Sequence, residues 1–212
     1  MQSIINFIRW KNLLMIALVQ CLIKYALLQP FGVNMSLSNF EFMLLVIATI
    51  CIAAAGNIIN DIYDVETDFI NKPKQIIIGK TITEKKAYNL FIVFNVLGVG
   101  LGFFVSNSIG KSELFSIFVI ISILLYLYAS FLKQTFLIGN IIVSALVAFS
   151  IIIVGIFELI PAITPQNQTI QLTFFKILLD YALFAFILNF LREIAKDIED
   201  VDGDFKTGMH TL

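Results

Sequence analysis

Six long hydrophobic stretches alternate with short polar segments along the 212-residue chain. They run roughly over residues 12–30, 40–59, 87–107, 113–132, 136–160 and 172–193. A helix needs about 20 mostly apolar residues to cross a bilayer, and each stretch is close to that length. The pattern therefore predicts an all-α fold, a polytopic bundle of about six transmembrane helices, with one long polar connection near residues 60–86.

The composition points to the same class of protein. Hydrophobic residues make up 59% of the chain and charged residues 14%, whereas a soluble domain is nearer to about 45–50% apolar and about 25% charged. Membrane lipid is therefore expected to cover part of the apolar surface. The net charge of −1 does not suggest a nucleic-acid partner. The two cysteines, Cys21 and Cys51, lie inside hydrophobic stretches, which argues against a disulfide framework.

The basic residues predict an orientation in the membrane, because cytoplasmic loops carry an excess of Lys and Arg. If the N-terminus is cytoplasmic, 11 of the 14 basic residues fall on that side. These residues are Arg9, Lys11, Lys72, Lys74, Lys80, Lys85, Lys86, Lys133, Arg192, Lys196 and Lys206. We therefore expect a multi-pass protein of the cell inner membrane, with its acidic segments facing the cytoplasm.

Ten of the 15 acidic residues lie in two short windows, residues 61–68 and 193–204, each at the end of a hydrophobic stretch. In the first window Asn60, Asp64 and Asp68 are spaced i, i+4, i+8, so a helix would place them on one face. In the second, Asp197, Asp200 and Asp204 would also share a face, provided that the helix continues past Gly203.

Carboxylates at this spacing repel one another, so a bound cation would stabilise them. Oxygen ligands suit Mg²⁺, which commonly binds through one or two carboxylates together with substrate phosphates. Two such clusters on one side of the membrane would fit a diphosphate, and nearby Lys72, Lys74 or Arg192 could contact its phosphates. The alternative interpretation is that both windows are ordinary solvated helix ends.

Three segments resemble signatures of the UbiA superfamily of intramembrane prenyltransferases. Residues 56–73, G-N-I-I-N-D-I-Y-D-V-E-T-D-F-I-N-K-P, are similar to its first motif. Residues 192–212, R-E-I-A-K-D-I-E-D-V-D-G-D-F-K-T-G-M-H-T-L, are similar to its second, and R-W-K-N at 9–12 resembles its N-terminal signature. The resemblance implies a helical bundle around a central cavity open to lipid, and Mg²⁺-dependent transfer of an isoprenyl chain from its diphosphate to an acceptor.

The resemblance also implies roles for particular residues. The expected metal and diphosphate ligands are Asn60, Asp64, Asp68, Asp200 and Asp204, and the four aspartates among them are the expected catalytic residues. Further substrate contacts are expected from Lys72, Asn12 and Arg192. Asp61 and Asp197 are neighbouring, weaker candidates.

The form K-D-I-E-D-V-D-G-D is similar to family members that act on glycerol-phosphate lipids. That likeness implies geranylgeranyl diphosphate as donor and a lipid such as geranylgeranylglyceryl phosphate as acceptor. Prenylation of an aromatic quinone precursor is the alternative within the family.

Two departures from the family pattern affect these expectations. Gln75 and Ile76 stand where the family usually has Arg and Pro, so a direct phosphate contact would either be lost or pass to Lys74 or Lys80. Family members usually have nine helices, three of them after the second motif, and this sequence stops at Leu212. We expect one transmembrane domain over residues 1–212 that is incomplete at its C-terminus. Whether this chain is active without the remaining helices is left open by the sequence.

Two other classes of function remain as alternatives. A cation transporter would carry its carboxylates near the bilayer midplane in broken helices, whereas most acidic residues here lie at helix ends. A non-catalytic remnant or scaffolding subunit is the other. Charged residues within membrane helices are often functional, so Asp180 is a candidate for the cavity wall. Lys24 and Glu158 are expected to reach a helix end or a partner, and Asn189 could line the site.

Overall fold

The computed structural model describes residues 7–71, 76–135 and 137–207, with the backbone alone at residue 71 and over 200–207. Within this part of the chain the regular structure is helical, apart from one isolated bridge between Ile78 and Ile82. The helices are α1 (Trp10–Leu22), α2 (Asn39–Tyr63), α3 (Val65–Asn71), α4 (Glu84–Ser108), α5 (Ser116–Ser130), α6 (Ile138–Glu158) and α7 (Gln168–Thr207). A π-helical segment, Ile23–Leu28, extends α1, and short 3₁₀ turns Ser112–Phe115 and Leu132–Gln134 flank α5.

Six segments of the described chain are long and apolar enough to cross a membrane, which confirms the predicted helical bundle. They are Trp10–Leu28, Asn39–Tyr63, Glu84–Ser108, Ser112–Ser130, Ile138–Glu158 and Gln168–Glu199. The last is longer than its hydrophobic stretch predicts, because α7 continues into the second acidic window and passes through Gly203 to Thr207.

Helix α2 lies at the centre of the bundle. In its most hydrophobic window 61% of the residues are buried, against 11% in that of α7. It packs against α1, α4 and α5, while α6 packs mainly against α7. Small residues allow these close approaches: a Cβ at Gly98 of α4 would lie 2.7 Å from the Ile52 side chain of α2. Gly98 therefore serves helix packing, as expected for small residues in membrane helices.

The ends of α2 are set by local chemistry. At its start the Ser38 hydroxyl accepts a hydrogen bond from the Glu41 amide, and the Glu41 carboxylate accepts one from the Ser38 amide. This capping box satisfies two amides that the helix leaves unpaired. At its other end Asp64 interrupts the helix, and α3 begins at the next residue. The bonds Asp64 N to Asn60 O and Asp68 N to Asp64 O, at 2.9 and 2.8 Å, preserve the i, i+4 register across the break.

Candidate active site

A cavity of about 220 Å³ lies between α1, α2, α5, α6 and α7. Its wall changes character along the helix axes. Arg9, Asn60, Arg192, Glu193 and Lys196 line one end, which we call the mouth. Most of the remaining wall is apolar and comes from α1, α2, α5 and α6. The cavity thus joins a charged end to a compartment suited to hydrocarbon.

Asn60, on the cavity wall at the mouth, is paired with Asp64, which lies beside it. The Asn60 amide nitrogen donates to an Asp64 carboxylate oxygen at 2.6 Å. Asn60 is 8% exposed, and its Oδ1 is buried without a hydrogen bond in the protein. Leaving a buried acceptor unpaired costs about 1–3 kcal/mol. A metal ion or a donor group on a ligand would remove that cost, so this oxygen is suited to ligand binding.

Lys133 forms an ion pair with the other carboxylate oxygen of Asp64. Its side chain is 8% exposed and arrives from the 3₁₀ turn Leu132–Gln134 after α5. Leu137, which precedes α6, adopts a positive φ of 59° at the corner that follows this turn. Lys133 thus reaches a carboxylate 69 residues earlier in the chain.

Arg9 supplies a second cation at the mouth. Its guanidinium lies 2.6 Å from Asp61 Oδ1, and the Asn57 amide nitrogen holds the adjoining Ile8 carbonyl at 3.0 Å. Burial alone would lower the pKa of Arg9, but the carboxylates of Asp61, Asp64 and Asp68 outweigh burial and raise it. Arg9 is therefore a permanent cation.

The opposite wall of the mouth is a polar ladder between α6 and α7. The Asn140 amide nitrogen donates to Asp197 Oδ2 at 2.7 Å, and Ser144 donates to the Asn140 carbonyl at 2.6 Å. Asn189 in turn donates to Ser144 Oγ at 3.2 Å. The ladder fixes the first aspartate of the second acidic window relative to the cavity.

The structure brings part of the predicted site together. Asn12, Asn60 and Arg192 lie on the cavity wall, with Asp64 beside Asn60, and Asp68 follows one helical turn later. The predicted cavity-facing position of Asn189 also lies on the wall.

Other predicted positions are not described to the same depth. Lys72 lies outside the described residues. Asp200 and Asp204 lie on the described backbone of α7, but their side chains are outside the description. Asp180 is described and exposed on α7, and it is not part of the cavity wall.

The sequence reasoning missed three groups that the fold places here. Lys133 had been used only to assign orientation, although its side chain pairs with Asp64. Asn140 carried no signal, because its partner Asp197 is 57 residues away in sequence. Tyr128, one helical turn before the 3₁₀ turn, lines the cavity on the α5 side. Of these three residues only Lys133 is indicated by the sequence, as a lysine at the end of a hydrophobic stretch.

The fold and the mouth define an integral membrane protein with an apolar cavity that is charged at one end. The UbiA prenyltransferase family matches residues 14–212 of the chain, and the chain belongs to this family. The chain is also similar to a solved structure described as "Structural and mechanistic insights into the biosynthesis of Digeranylgeranylglyceryl phosphate synthase in membranes". The TM-score is 0.67 at 27% identity, over 100% of this chain and 67% of the other.

Curated relatives of similar sequence are named digeranylgeranylglyceryl phosphate synthase. The relative from Methanosphaera stadtmanae is 32% identical over 82% of this chain and 57% of its own length. The relative from Korarchaeum cryptofilum is 36% identical over 74% and 50%. That from Methanococcoides burtonii is 31% identical over 100% and 70%. The chain thus spans about half to two thirds of the length of these relatives.

Proposed function

We propose that the protein transfers a prenyl group from an isoprenyl diphosphate to a lipid acceptor, with residues 1–212 acting as one transmembrane prenyltransferase domain. The observation that carries the proposal is the mouth itself. Asn60 and Asp64, with a lysine and an arginine beside them, lie at the end of an apolar cavity inside the membrane. An isoprenyl diphosphate likewise joins a charged group, which suits the mouth, to a hydrocarbon chain, which suits the cavity.

We propose that the mouth binds a Mg²⁺ ion. Asn60 Oδ1 is buried and makes no hydrogen bond within the protein, and the Asp64 carboxylate lies against the same amide. In the described residues no three His, Cys, Asp or Glu side chains converge on one point. The proposed ligands are therefore Asn60, Asp64 and Asp68 together with substrate phosphate oxygens, with Asp200 and Asp204 completing the set from α7. When bound, Mg²⁺ would offset the charge of the leaving diphosphate.

The cations of the mouth have a complementary task. Lys133 and Arg9 are held by Asp64 and Asp61, and Arg192 projects from α7 at the rim with 63% of its side chain exposed. These groups would contact phosphate oxygens, with Lys72 joining them from the segment after α3. Because guanidinium groups bind phosphate in a bidentate manner, Arg9 and Arg192 would also orient the diphosphate.

The apolar cavity would protect the reacting carbon. In the transfer, the bond from the first carbon of the donor to the diphosphate oxygen breaks, and the acceptor hydroxyl oxygen bonds to that carbon. The hydroxyl proton leaves with the diphosphate. The developing carbocation needs an environment without water, and aromatic faces such as that of Tyr128 on the cavity wall would stabilise it.

The names of the relatives and the form of the second motif support a particular pair of substrates. We propose geranylgeranyl diphosphate as donor and geranylgeranylglyceryl phosphate as acceptor, with Asn12 on the cavity wall as a further substrate contact. Following the distribution of Lys and Arg, the mouth would face the cytoplasm, and the protein would lie in the cell inner membrane.

The test is a transfer assay with the full chain in proteoliposomes. Labelled geranylgeranyl diphosphate is supplied with either the glycerol-phosphate lipid or an aromatic quinone precursor, with Mg²⁺ or with a chelator. The proposal predicts Mg²⁺-dependent product with the lipid acceptor. Product with the aromatic acceptor alone would move the function to the other branch of the family. Metal flux without transfer would instead support a transporter.

A further inference from the structure

A second polar group lies at the far end of the cavity, deep among the membrane helices. Gln20 of α1 is completely buried. Its amide nitrogen donates to the Ser150 carbonyl at 2.9 Å and lies 3.3 Å from the Thr49 hydroxyl. Thr49 and Ser150 line the cavity. We call these three residues the shelf.

The shelf contains an unsatisfied acceptor. Gln20 Oε1 is buried and makes no hydrogen bond within the protein. Thr49 donates its own proton to the Leu45 carbonyl at 3.0 Å, so its hydroxyl does not satisfy that oxygen. An amide placed among hydrocarbon is unfavourable unless it is hydrogen-bonded. The shelf is therefore a place where water or a hydroxyl is favoured and an alkyl chain is not.

The distance from the mouth to the shelf can be read along three helices. Thr49 precedes Asn60 by 11 residues on α2, Gln20 follows Arg9 by 11 along α1, and Ser150 follows Asn140 by 10 on α6. At about 1.5 Å per residue, each path measures about 15–17 Å. All three helices thus place the shelf at the same depth below the mouth.

That depth corresponds to a chain of defined length. An isoprene unit adds four main-chain bonds of about 1.5 Å, or about 5 Å of extended chain. Three units reach the shelf when fully extended, and a fourth fits when the chain is bent. We infer that the shelf formed by Gln20, Thr49 and Ser150 is the floor of the donor-chain site and limits the donor to about four isoprene units.

This inference rests on the proposed function, since it concerns the prenyl chain of the same donor. The physical basis is a change in the binding free energy that each added isoprene unit contributes. Every unit that enters the apolar wall buries hydrocarbon and increases affinity. A fifth unit would instead meet the shelf, where Thr49 and Ser150 line the cavity and the buried Gln20 amide lies behind them, so the gain with chain length should stop there.

The experiment measures binding of unreactive diphosphate analogues of two to five isoprene units to the full chain in nanodiscs with Mg²⁺. For the wild type, affinity should rise up to four units and not beyond. Thr49→Val and Gln20→Leu remove the polar groups at nearly constant volume. In these variants the five-unit analogue should gain about tenfold in affinity relative to the four-unit analogue.

Two further variants calibrate the measurement. Ala53 lines the cavity one helical turn closer to the mouth than Thr49, so Ala53→Phe should end the rise at two or three units. Ile47 is 42% exposed on the same helix, outside the cavity wall, and Ile47→Phe should leave the dependence on length unchanged.

The possible results separate the two proposals. If no analogue binds to the wild type, the proposed function fails and the floor fails with it. If binding depends on length but Thr49→Val and Gln20→Leu leave that dependence unchanged, the prenyl site stands and the assignment of its floor is overturned, whatever Ala53→Phe does.

Discussion

The two ends of the bundle each hold charged residues within or beside the membrane, and they handle these charges differently. At the end opposite the mouth, Lys24 Nζ lies 2.6 Å from Glu158 Oε1, with both side chains almost completely buried. Lys24 also donates to the Leu37 carbonyl at 2.8 Å, and the Leu37 amide donates to Glu158 Oε2 at 3.0 Å. Lys24 lies 4.6 Å from the centre of the Phe42 ring. We call this group the lock.

In the proposed function the mouth binds a ligand from outside the protein. Asp64 and Asp61 each have a cation, yet the acceptor atom of Asn60 remains unpaired and the neighbouring wall opens into a cavity. In the lock, by contrast, the protein itself supplies partners to both oxygens of the Glu158 carboxylate. The difference teaches that buried charge alone does not identify a binding site. An unsatisfied group next to a cavity is the better indicator.

The largest predicted effect comes from breaking the lock. Lys24→Met leaves the Glu158 carboxylate buried without its cation, and removing one partner of a buried ion pair costs about 3–5 kcal/mol. We expect a marked fall in the melting temperature in detergent. The double variant Lys24→Met with Glu158→Leu should recover most of the loss, because apolar residues can replace such pairs. A double variant as unstable as the single one would show that the charges act through other contacts.

At the mouth the larger effect should be on turnover. Asp64→Asn keeps the shape of the side chain but removes the charge, and we expect transfer to fall at least about 100-fold, as when one electrostatic contact to a transition state is lost. Asp180→Asn, on the exposed face of α7, is the matched control and should retain turnover within about twofold. Equal activity of the two variants would argue against a role for Asp64 in the reaction.

Lys133→Met should have a smaller effect, because Arg9 and Arg192 remain at the mouth. We expect transfer to fall by about 10–100-fold, mainly through weaker donor binding, with Lys133→Arg retaining part of the affinity through its charge. Donor affinity measured with and without Mg²⁺ tests this. If Lys133→Met binds the diphosphate as the wild type does, the lysine serves only to neutralise Asp64.

Asn140→Ala should have the smallest effect of the four. It removes one neutral donor to Asp197, worth about 0.5–1.5 kcal/mol or slightly more because the acceptor is charged. The expected loss in transfer is about 3–10-fold, and Asn140→Gln should not restore it, since its longer side chain displaces the amide. Measuring turnover and donor affinity separately checks this prediction, because an effect on positioning should lower turnover more than it lowers affinity.

The sequence predicted the bundle well because its signals are local. The hydrophobic stretch at 40–59 became α2, Asn39–Tyr63, and the i, i+4 spacing of Asn60 and Asp64 produced a direct contact. The contacts of Asp64 with Lys133, of Asp197 with Asn140 and of Gln20 with Ser150 could not be predicted in this way. Each joins residues more than 50 positions apart, so it depends on how the helices pack rather than on any periodicity.

The same limit applies to the lock. Lys24 and Glu158 were each recognisable as expensive charges inside hydrophobic stretches, but their pairing across 134 residues was not. The sequence therefore revealed which residues needed partners, and the fold revealed which partners they found. Among the described residues the fold left three buried side-chain oxygens without a partner. Asn60 Oδ1 lies at the mouth and Gln20 Oε1 lies at the shelf, whereas Gln171 belongs to neither and is not part of the cavity wall.

One measurement tests the central contrast between mouth and lock directly: the rise in melting temperature when Mg²⁺ and an unreactive geranylgeranyl diphosphate analogue are added together. A ligand that binds only the folded protein stabilises it by RT ln(1 + L/Kd), where L is the free ligand concentration. We predict a clear rise for the wild type and for the double lock variant, and none for Asp64→Asn. An equal rise in Asp64→Asn would contradict the account, because the ligand would then bind elsewhere.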